Sequence, residues 1–484
     1  MARATVIGSG PNGLTGAVAL ARAGYDVTVL EAADTIGGGT RTLETTLPGF
    51  RHDVCSAVHP IAMSSPVFRA IGLRERIDWV VPEISYAQPL DGRPAAIAWH
   101  DIERTAAGLD RDGAMWRRIF APLSRRISGV VDFTGSNLLR VPRDPITAVR
   151  FGARVLAAGT RLIDAGLHTE AARALLTGVI AHANTRLPSL AGAGAGVMLA
   201  AHGHSTDGWA YPRGGAQAIP DALAADLVAH GGRIVTGEHV RDLAALDWGN
   251  PAAGDVLLLD ASPRLALTLP DVPPAYRRAI LRYRYGPAAA KVDVALDGPI
   301  PWRDPALAKA PTVHIGGTRA EMEASENEVA RGRISERPYV LAVQPSALDD
   351  SRAPAGKAVL WAYIHVPHGS PVDPTELVFR QVERFAPGFR DLVLASHAVP
   401  ASRREAENPA EIGGDVLGGA FTLLQAVRRP VVSTAPWRAP MRGVYLASSA
   451  TPPGPGVSGM SGWHAARTAL RDAGRPASLA DVFG

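Results

Sequence analysis

Gly8, Gly10 and Gly13 form the pattern G-x-G-x-x-G, and Glu31 follows eighteen positions after the last of them. Glycines at this spacing allow a tight turn and let the backbone meet a diphosphate with no Cβ in the way. An acid about twenty residues on accepts hydrogen bonds from ribose hydroxyls. Pro11 and Asn12 fill the turn, and the chemistry it offers is the binding of a dinucleotide with an unphosphorylated ribose. A second group of residues is suited to moving a proton near neutral pH. His59 and His52 flank Cys55, and His204 lies shortly before Trp209 and Tyr211. His59, His204 and Tyr211 are the preferred catalytic candidates, with Asp53, Asp207 and Lys291 as further titratable groups and Cys55 as either a covalent anchor or a small buried hydrophobe.

These residues need particular elements to position them. Ala4–Ile7 reads as a buried strand and Leu14–Ala23 as a helix closed by Gly24, with Asp26–Leu30 as a second strand that delivers Glu31. Gly37-Gly38-Gly39-Thr40-Arg41 offers a second backbone approach to a diphosphate, with a hydroxyl and a cation beside it. Near the other end, Gly443–Ala447 reads as a strand, Ser448–Gly459 as a Pro/Gly-rich loop and Met460–Ala473 as a helix. A loop of that kind aims a helix N-terminus, and its positive dipole end, at a ligand.

Composition narrows the classes further. A chain of 484 residues, 46% hydrophobic and 20% charged, is globular and long enough for two or three domains. Cys55 is the single cysteine, which rules out an intrachain disulfide, a Cys-x-x-Cys pair, a thiolate zinc site and a Cys-ligated iron–sulfur cluster. Of the 50 basic residues 47 are arginine, scattered along the chain, so a net charge of +4 comes without the dense basic stripe of a nucleic-acid face. The histidines show no metal-binding spacing, and no metal is expected. The N-terminus lacks a secretory pattern, and Leu190–Ala201 is too short to cross a bilayer, so a cytoplasmic protein is expected. Residues 146–167 place apolar side chains among Arg150, Arg154 and Arg161. That pattern is either a core helix with a solvated arginine face or an amphipathic helix meeting a channel, a partner or a membrane surface.

Residues 100–200 are helical in pattern and interrupted by Pro142, Pro145 and Pro188, as an insertion would be. Lys291–Leu296, Tyr339–Val343 and Val359–His365 are strand-like and predict a sheet walling a substrate cavity; Thr318–Ser335 predicts a surface loop or helix. No second strand–glycine–helix–acid unit follows the first.

The Gly37–Arg41 segment resembles that of glutathione-reductase-like FAD enzymes. With Pro48–Pro60, Tyr211-Pro212-Arg213-Gly214-Gly215, Gly231–Gly237 and Gly443–Ala466, the chain resembles the phytoene-desaturase-like, carotenoid-isomerase-related branch of the FAD-dependent oxidoreductases, kin to the flavin amine oxidases. Pro455 departs from that pattern, where Gly is usual. The resemblance implies an α/β protein in which a discontinuous FAD-binding Rossmann domain (1–65, 205–285 and 430–484) carries an inserted α+β substrate domain (66–204 and 286–429). It implies FAD held by Gly8, Gly10, Pro11, Asn12, Gly13, Glu31, Ala32, Gly38, Gly39, Thr40, Arg41, Val240, Ser448, Gly456, Val457 and Ser458. The implied reaction is hydride exchange between flavin N5 and a C–C bond of an apolar small molecule, with oxygen or a quinone as diffusible electron acceptor. Amine oxidation and a non-catalytic FAD-binding role are the alternatives; peripheral membrane contact and a homodimer remain open.

Overall fold

From Ala4 onward the run Arg3–Ile7 is buried, as a strand covered on both faces must be. The computed structural model describes residues 1–484. Its two main sheets are built from β1 (Arg3–Ile7), β2 (Asp26–Leu30), β3 (Ile84–Leu90), β4 (Arg93–Trp99), β5 (Arg233–Val235), β6 (Val256–Leu259), β7 (Ala288–Leu296), β8 (Thr312–Ile315), β9 (Val340–Val343), β10 (Ala358–Val366), β11 (Val393–Val399) and β12 (Val444–Leu446). The first sheet is parallel, in the order β12-β6-β1-β2-β5. The second runs β11-β7-β10-β9-β8-β3-β4 and is antiparallel except where β8 meets β3.

The helices that matter for the site are α1 (Pro11–Arg22), α2 (Pro145–Gly159), α3 (Glu170–Ala181), α4 (Leu190–Gly203), α5 (Ala218–Ala229) and α6 (Met460–Asp472). α1 starts with Pro at its first position and is followed by Gly24 at φ 83°. It packs against α5 and α6 over the parallel sheet, burying Leu14, Leu20, Leu223, Leu258 and Trp463 in one core. Val67, Phe68, Ile71 and Leu73 join that core, so the chain just beyond 65 packs with the nucleotide-side sheet. Every strand of the parallel sheet lies within 1–65, 205–285 and 430–484, and every strand of the second sheet within 66–204 and 286–429.

The helix expected over 146–167 ends early, at Gly159. Arg161 takes the left-handed conformation at φ 65°, and a Cβ on Gly159 would come within 2.9 Å of the Leu190 Cα at the start of α4. The glycines of α4 serve packing in the same way, since a Cβ on Gly196 would lie 2.4 Å from Ile180 Cγ1 of α3. Within Thr318–Ser335, Arg319–Ala330 is a helix with a Thr318/Glu321 capping box, and it buries Met322, Ser325, Glu326 and Val329. No helix is long and apolar enough to cross a membrane.

Candidate active site

Strand order reverses at β1: α1 carries the chain to β2 on one side, while β6 lies on the other. A crevice opens at the carboxyl ends of strands where order reverses this way. Gly8 forms its floor at φ 93°, where a Cβ would lie 2.5 Å from the Asp260 carbonyl oxygen. Gly10 caps α1 without a side chain, so the positive end of the helix faces the crevice. Glu31 ends β2, and its carboxylate accepts the Ser9 N–H at 2.8 Å, the Ser9 hydroxyl at 2.5 Å and the Ala33 N–H at 2.9 Å. The Gly38–Thr40 turn closes over the crevice so tightly that a Cβ on Gly38 would be 3.3 Å from Gly10 Cα.

Two distant segments complete this end. α6 crosses α1 in backbone contact, because a Cβ on Gly462 would fall 1.8 Å from the Asn12 carbonyl oxygen. That crossing brings Ser448 and Pro455–Val457 to the glycine turn, with Gly456 at φ 119°. The wall Cys55–Ile61 is laid down by N–H donations from Val54 to Arg41 O, Ser56 to Gly39 O and His59 to Ala210 O. Asp53 anchors it, accepting from Arg352 Nη2 at 2.7 Å, the Ala216 N–H at 2.9 Å and the Thr42 hydroxyl at 2.7 Å. Burial pushes the Asp53 carboxyl up, but the Arg352 charge and these hydrogen bonds outweigh it and hold the group below the usual carboxylate range.

From the glycine turn a single cavity of about 720 Å³ runs to a wall made by His182, Met198, Leu199, Trp209, Leu341, Trp361 and Tyr363. Trp361 and Tyr363, two apart on β10, point to one face, with ring centroids 5.2 Å apart. Three imidazoles reach the cavity: His239 at the glycine-turn end, after β5, and His59 and His182. His59 is buried with neither ring nitrogen partnered, and burial lowers it to about 4. His182 Nε2 lies 2.7 Å from His314 Nε2, and burial lowers His182 to about 3. Both rings are therefore neutral at pH 7, and one proton lies between the paired nitrogens.

Gly8, Gly10, Pro11, Asn12, Glu31, Ala32, Gly38, Gly39, Thr40, His59, Val240, Ser448, Gly456 and Val457 line this cavity together. The Thr40 hydroxyl is spent within its own turn, donating to Gly37 O. Gly13 stands behind the turn, where a Cβ would lie 2.2 Å from the Gly8 carbonyl oxygen. Arg41 does not face a diphosphate: it is buried and donates to Gly38 O and Glu407 O, clamping two loops together. Ser458 is also off the cavity, its carbonyl accepting the Ser65 hydroxyl. His204 is not at the site, since its Nε2 accepts Trp116 Nε1–H at 3.0 Å and its Nδ1 meets Trp99 O at 2.8 Å. Tyr211 likewise turns away and donates to Pro345 O at 3.3 Å. Lys291 is buried in β7 and paired with Asp293, with Thr45 donating to the same carboxylate. Trp361 and Tyr363 belong to the strand-like run Val359–His365 expected to wall the cavity, whereas His182 and Asp260 were not among the expected site residues. Asp260 ends β6 much as Glu31 ends β2, and that was a usable signal.

Residues 6–71 match the family model described as an NAD(P)-binding Rossmann-like domain. Across 97% of its length the chain is 27% identical to pyridine nucleotide-disulfide oxidoreductase domain-containing protein 2 of Rattus norvegicus, covering 93% of that protein. It is also 27% identical to phytoene dehydrogenase of Streptomyces griseus, over 81% of this chain and 77% of the other. A triple mutant of putrescine oxidase superposes with a TM-score of 0.61 at 16% identity, over 98% of this chain and 99% of that one. The chain has the Rossmann-type fold of the FAD-dependent oxidoreductases. Within this oxidoreductase fold the lone Cys55 cannot form a dithiol pair.

Cys55 is half-buried on the cavity wall, and burial, reinforced by the neighbouring Glu411 carboxylate, pushes its thiol up to about 12. Glu411 in turn accepts from Arg404 Nη1 at 2.6 Å and Asn408 Nδ2 at 3.1 Å. A thiol held protonated is a poor nucleophile. Iodoacetamide at pH 8 is expected to label the folded protein at least about 100-fold more slowly than the urea-unfolded chain, as followed by mass spectrometry. Equal rates would show an ordinary, accessible thiol and contradict this burial.

Proposed function

We propose that the chain is an FAD-dependent oxidoreductase that moves a hydride between flavin N5 and a carbon–carbon bond of an apolar small molecule, as a desaturation, saturation or isomerisation. The observation that carries this reading is the continuity of the cavity, with the glycine turn at one end and Met198, Leu199, Leu341, Trp361 and Tyr363 at the other. The residues present fit the dinucleotide: side chains at Gly8 or Gly10 would collide with Asp260 and one at Gly38 would crowd Gly10, so the close-set turns need glycine, and His59 offers an orphaned buried polar group. Glu31, Ala32 and Val240 would hold the adenosine end, Gly8–Asn12 and Gly38–Thr40 the diphosphate, and Ser448 with Gly456–Val457 the ring system. FAD, when bound, supplies the two-electron centre.

The chain's own contribution is alignment and exclusion of water. The aromatic and aliphatic wall orients an apolar ligand along the cavity, and neutral His59 and His182 can each donate or accept one hydrogen bond without adding charge. One glycine–helix unit leaves a tightly bound nicotinamide cofactor without a seat, so electrons are passed to oxygen or a quinone. The test is anaerobic mixing of the flavin-loaded protein with linear alkenes and polyenes on one side and primary amines on the other. Bleaching by the hydrocarbon set supports the proposal. The Trp361–Tyr363 pair favours C–N oxidation as a second reading, which bleaching by amines alone would establish. Reoxidation of the dithionite-reduced flavin by an alkene, or isomerisation of a polyene, supports the saturation and isomerisation forms of the proposal; flavin that neither set reduces, that no alkene reoxidises and that isomerises no polyene supports a binding role.

Peripheral membrane contact is part of this proposal. α2 turns Ile146, Val149 and Leu156 outward, 58%, 72% and 50% exposed, with Arg150 among them. Its other side packs on α4, which supplies Met198 and Leu199 to the cavity. An exposed apolar row beside arginines suits an anionic bilayer surface. Flotation with vesicles containing phosphatidylserine is expected to carry the wild type upward and to leave Val149→Asp at the bottom; equal flotation of both would remove α2 from the account.

A further inference from the structure

At the reversal of strand order stands one acid that hydride transfer does not need. Asp260 directly follows β6, donates its backbone N–H to Ile7 O at 2.8 Å, and accepts the Gly13 N–H on Oδ2 at 2.8 Å. A Cβ on Gly10 would lie 2.6 Å from that same Oδ2. The carboxyl therefore lies across the first turn of α1, on the helix end that a diphosphate would approach. No cation forms an ion pair with it. Glu31 faces it from β2, with Ser9 beside it on the glycine turn. From the segment after β5 come Glu238, His239 and Arg241, and from its own loop Arg264, whose guanidinium lies over the Tyr285 ring at 5.0 Å.

Resting on the FAD reading above, we infer that Asp260 couples dinucleotide binding to the uptake of one proton. It stands as a neutral carboxylic acid when the dinucleotide is seated, and donates its O–H to a diphosphate oxygen. A carboxylate and a diphosphate brought together in the crevice disfavour each other's charge, and the diphosphate stays ionised throughout the neutral range, so the carboxyl takes the proton from solvent. In the free protein burial already raises this carboxyl to about 7, Glu31 adding to the rise and the Gly13 N–H opposing it. The sign follows. At pH 6 the acid is largely protonated and binding needs no proton; above pH 7 each binding event takes one up, and affinity falls towards tenfold per pH unit.

The test is calorimetric titration of the full-length chain, freed of bound flavin, with FAD at pH 6.0, 7.0, 8.0 and 8.5, repeated at pH 8.0 in phosphate and in Tris. The expected wild-type result is a Kd that rises fivefold to tenfold per pH unit above 7, with close to one proton taken up at pH 8.0. Asp260→Asn should show a flat Kd and no proton uptake, which also separates Asp260 from His239. FAD binding with no proton uptake by the wild type, or an unchanged pH slope in Asp260→Asn, overturns the inference and leaves the cofactor reading standing. No binding of FAD at any pH overturns both.

Discussion

Replacing Arg352 with alanine is expected to destabilise the fold by about 3–5 kcal/mol, a large share of the roughly 5–15 kcal/mol that holds a native protein together. Arg352 and Asp53 are each about 1% exposed, joined at 2.7 Å, and Arg352 Nε also donates to Arg51 O at 3.2 Å. Removing the guanidinium leaves a buried carboxylate with the Thr42 hydroxyl and the Ala216 N–H as its partners. The sign with pH can be worked out. In the wild type Asp53 is depressed, so its contribution is present above the unfolded carboxylate value and is lost only in acid. In Arg352→Ala burial is opposed by the Ala216 and Thr42 hydrogen bonds alone, so the group rises above its wild-type value and the deficit against wild type should be smaller at pH 5 than at pH 8. Urea unfolding at the two pH values measures it. The same variant should bind FAD more weakly, because Asp53 anchors the segment that carries Cys55–Ile61 to the cavity wall.

The second large effect is expected from Gly13→Ala. The added methyl would meet the Gly8 carbonyl oxygen at 2.2 Å and Asp260 Cβ at 2.9 Å, and the first of these is backbone that cannot swing aside. The turn must open and α1 must move off β1, which costs about 3 kcal/mol or more of dinucleotide affinity, a rise in Kd of at least about 100-fold. Gly152→Ala on the exposed side of α2 meets nothing within 4 Å and is the matched control. It should bind FAD like the wild type and gain about 0.5–1 kcal/mol from helix propensity. Flavin content of the purified variants separates the two.

The glycine turn, Glu31 and the Gly38–Thr40 turn were legible because strand, turn, helix and acid follow one another within forty residues, and each requirement is local. The C-terminal loop was legible for the same reason. Arg41, His204 and Tyr211 were misplaced because residue type does not say which way a side chain turns. His204 sits at the end of α4, where its ring finds Trp116 Nε1–H and Trp99 O, partners 88 and 105 positions away. The strands of the far wall were legible, but not which of their side chains face the cavity. Leu341 lies opposite Tyr363 only through the β9–β10 register, and His182 finds His314 across 132 positions. The boundary drawn at 65 missed Val67 and Phe68, whose apolar pattern does not reveal which of two cores receives it.

The measurement that tests the central claim most directly is the visible absorption spectrum of the purified protein, followed by denaturation and identification of what is released. A flavin spectrum with FAD released at close to one per chain is the expected result, and it would make the glycine turn and the C-terminal loop two sides of one site. A colourless protein that also fails to take up added FAD would contradict the account and leave the crevice as a nucleotide-binding fold without a flavin.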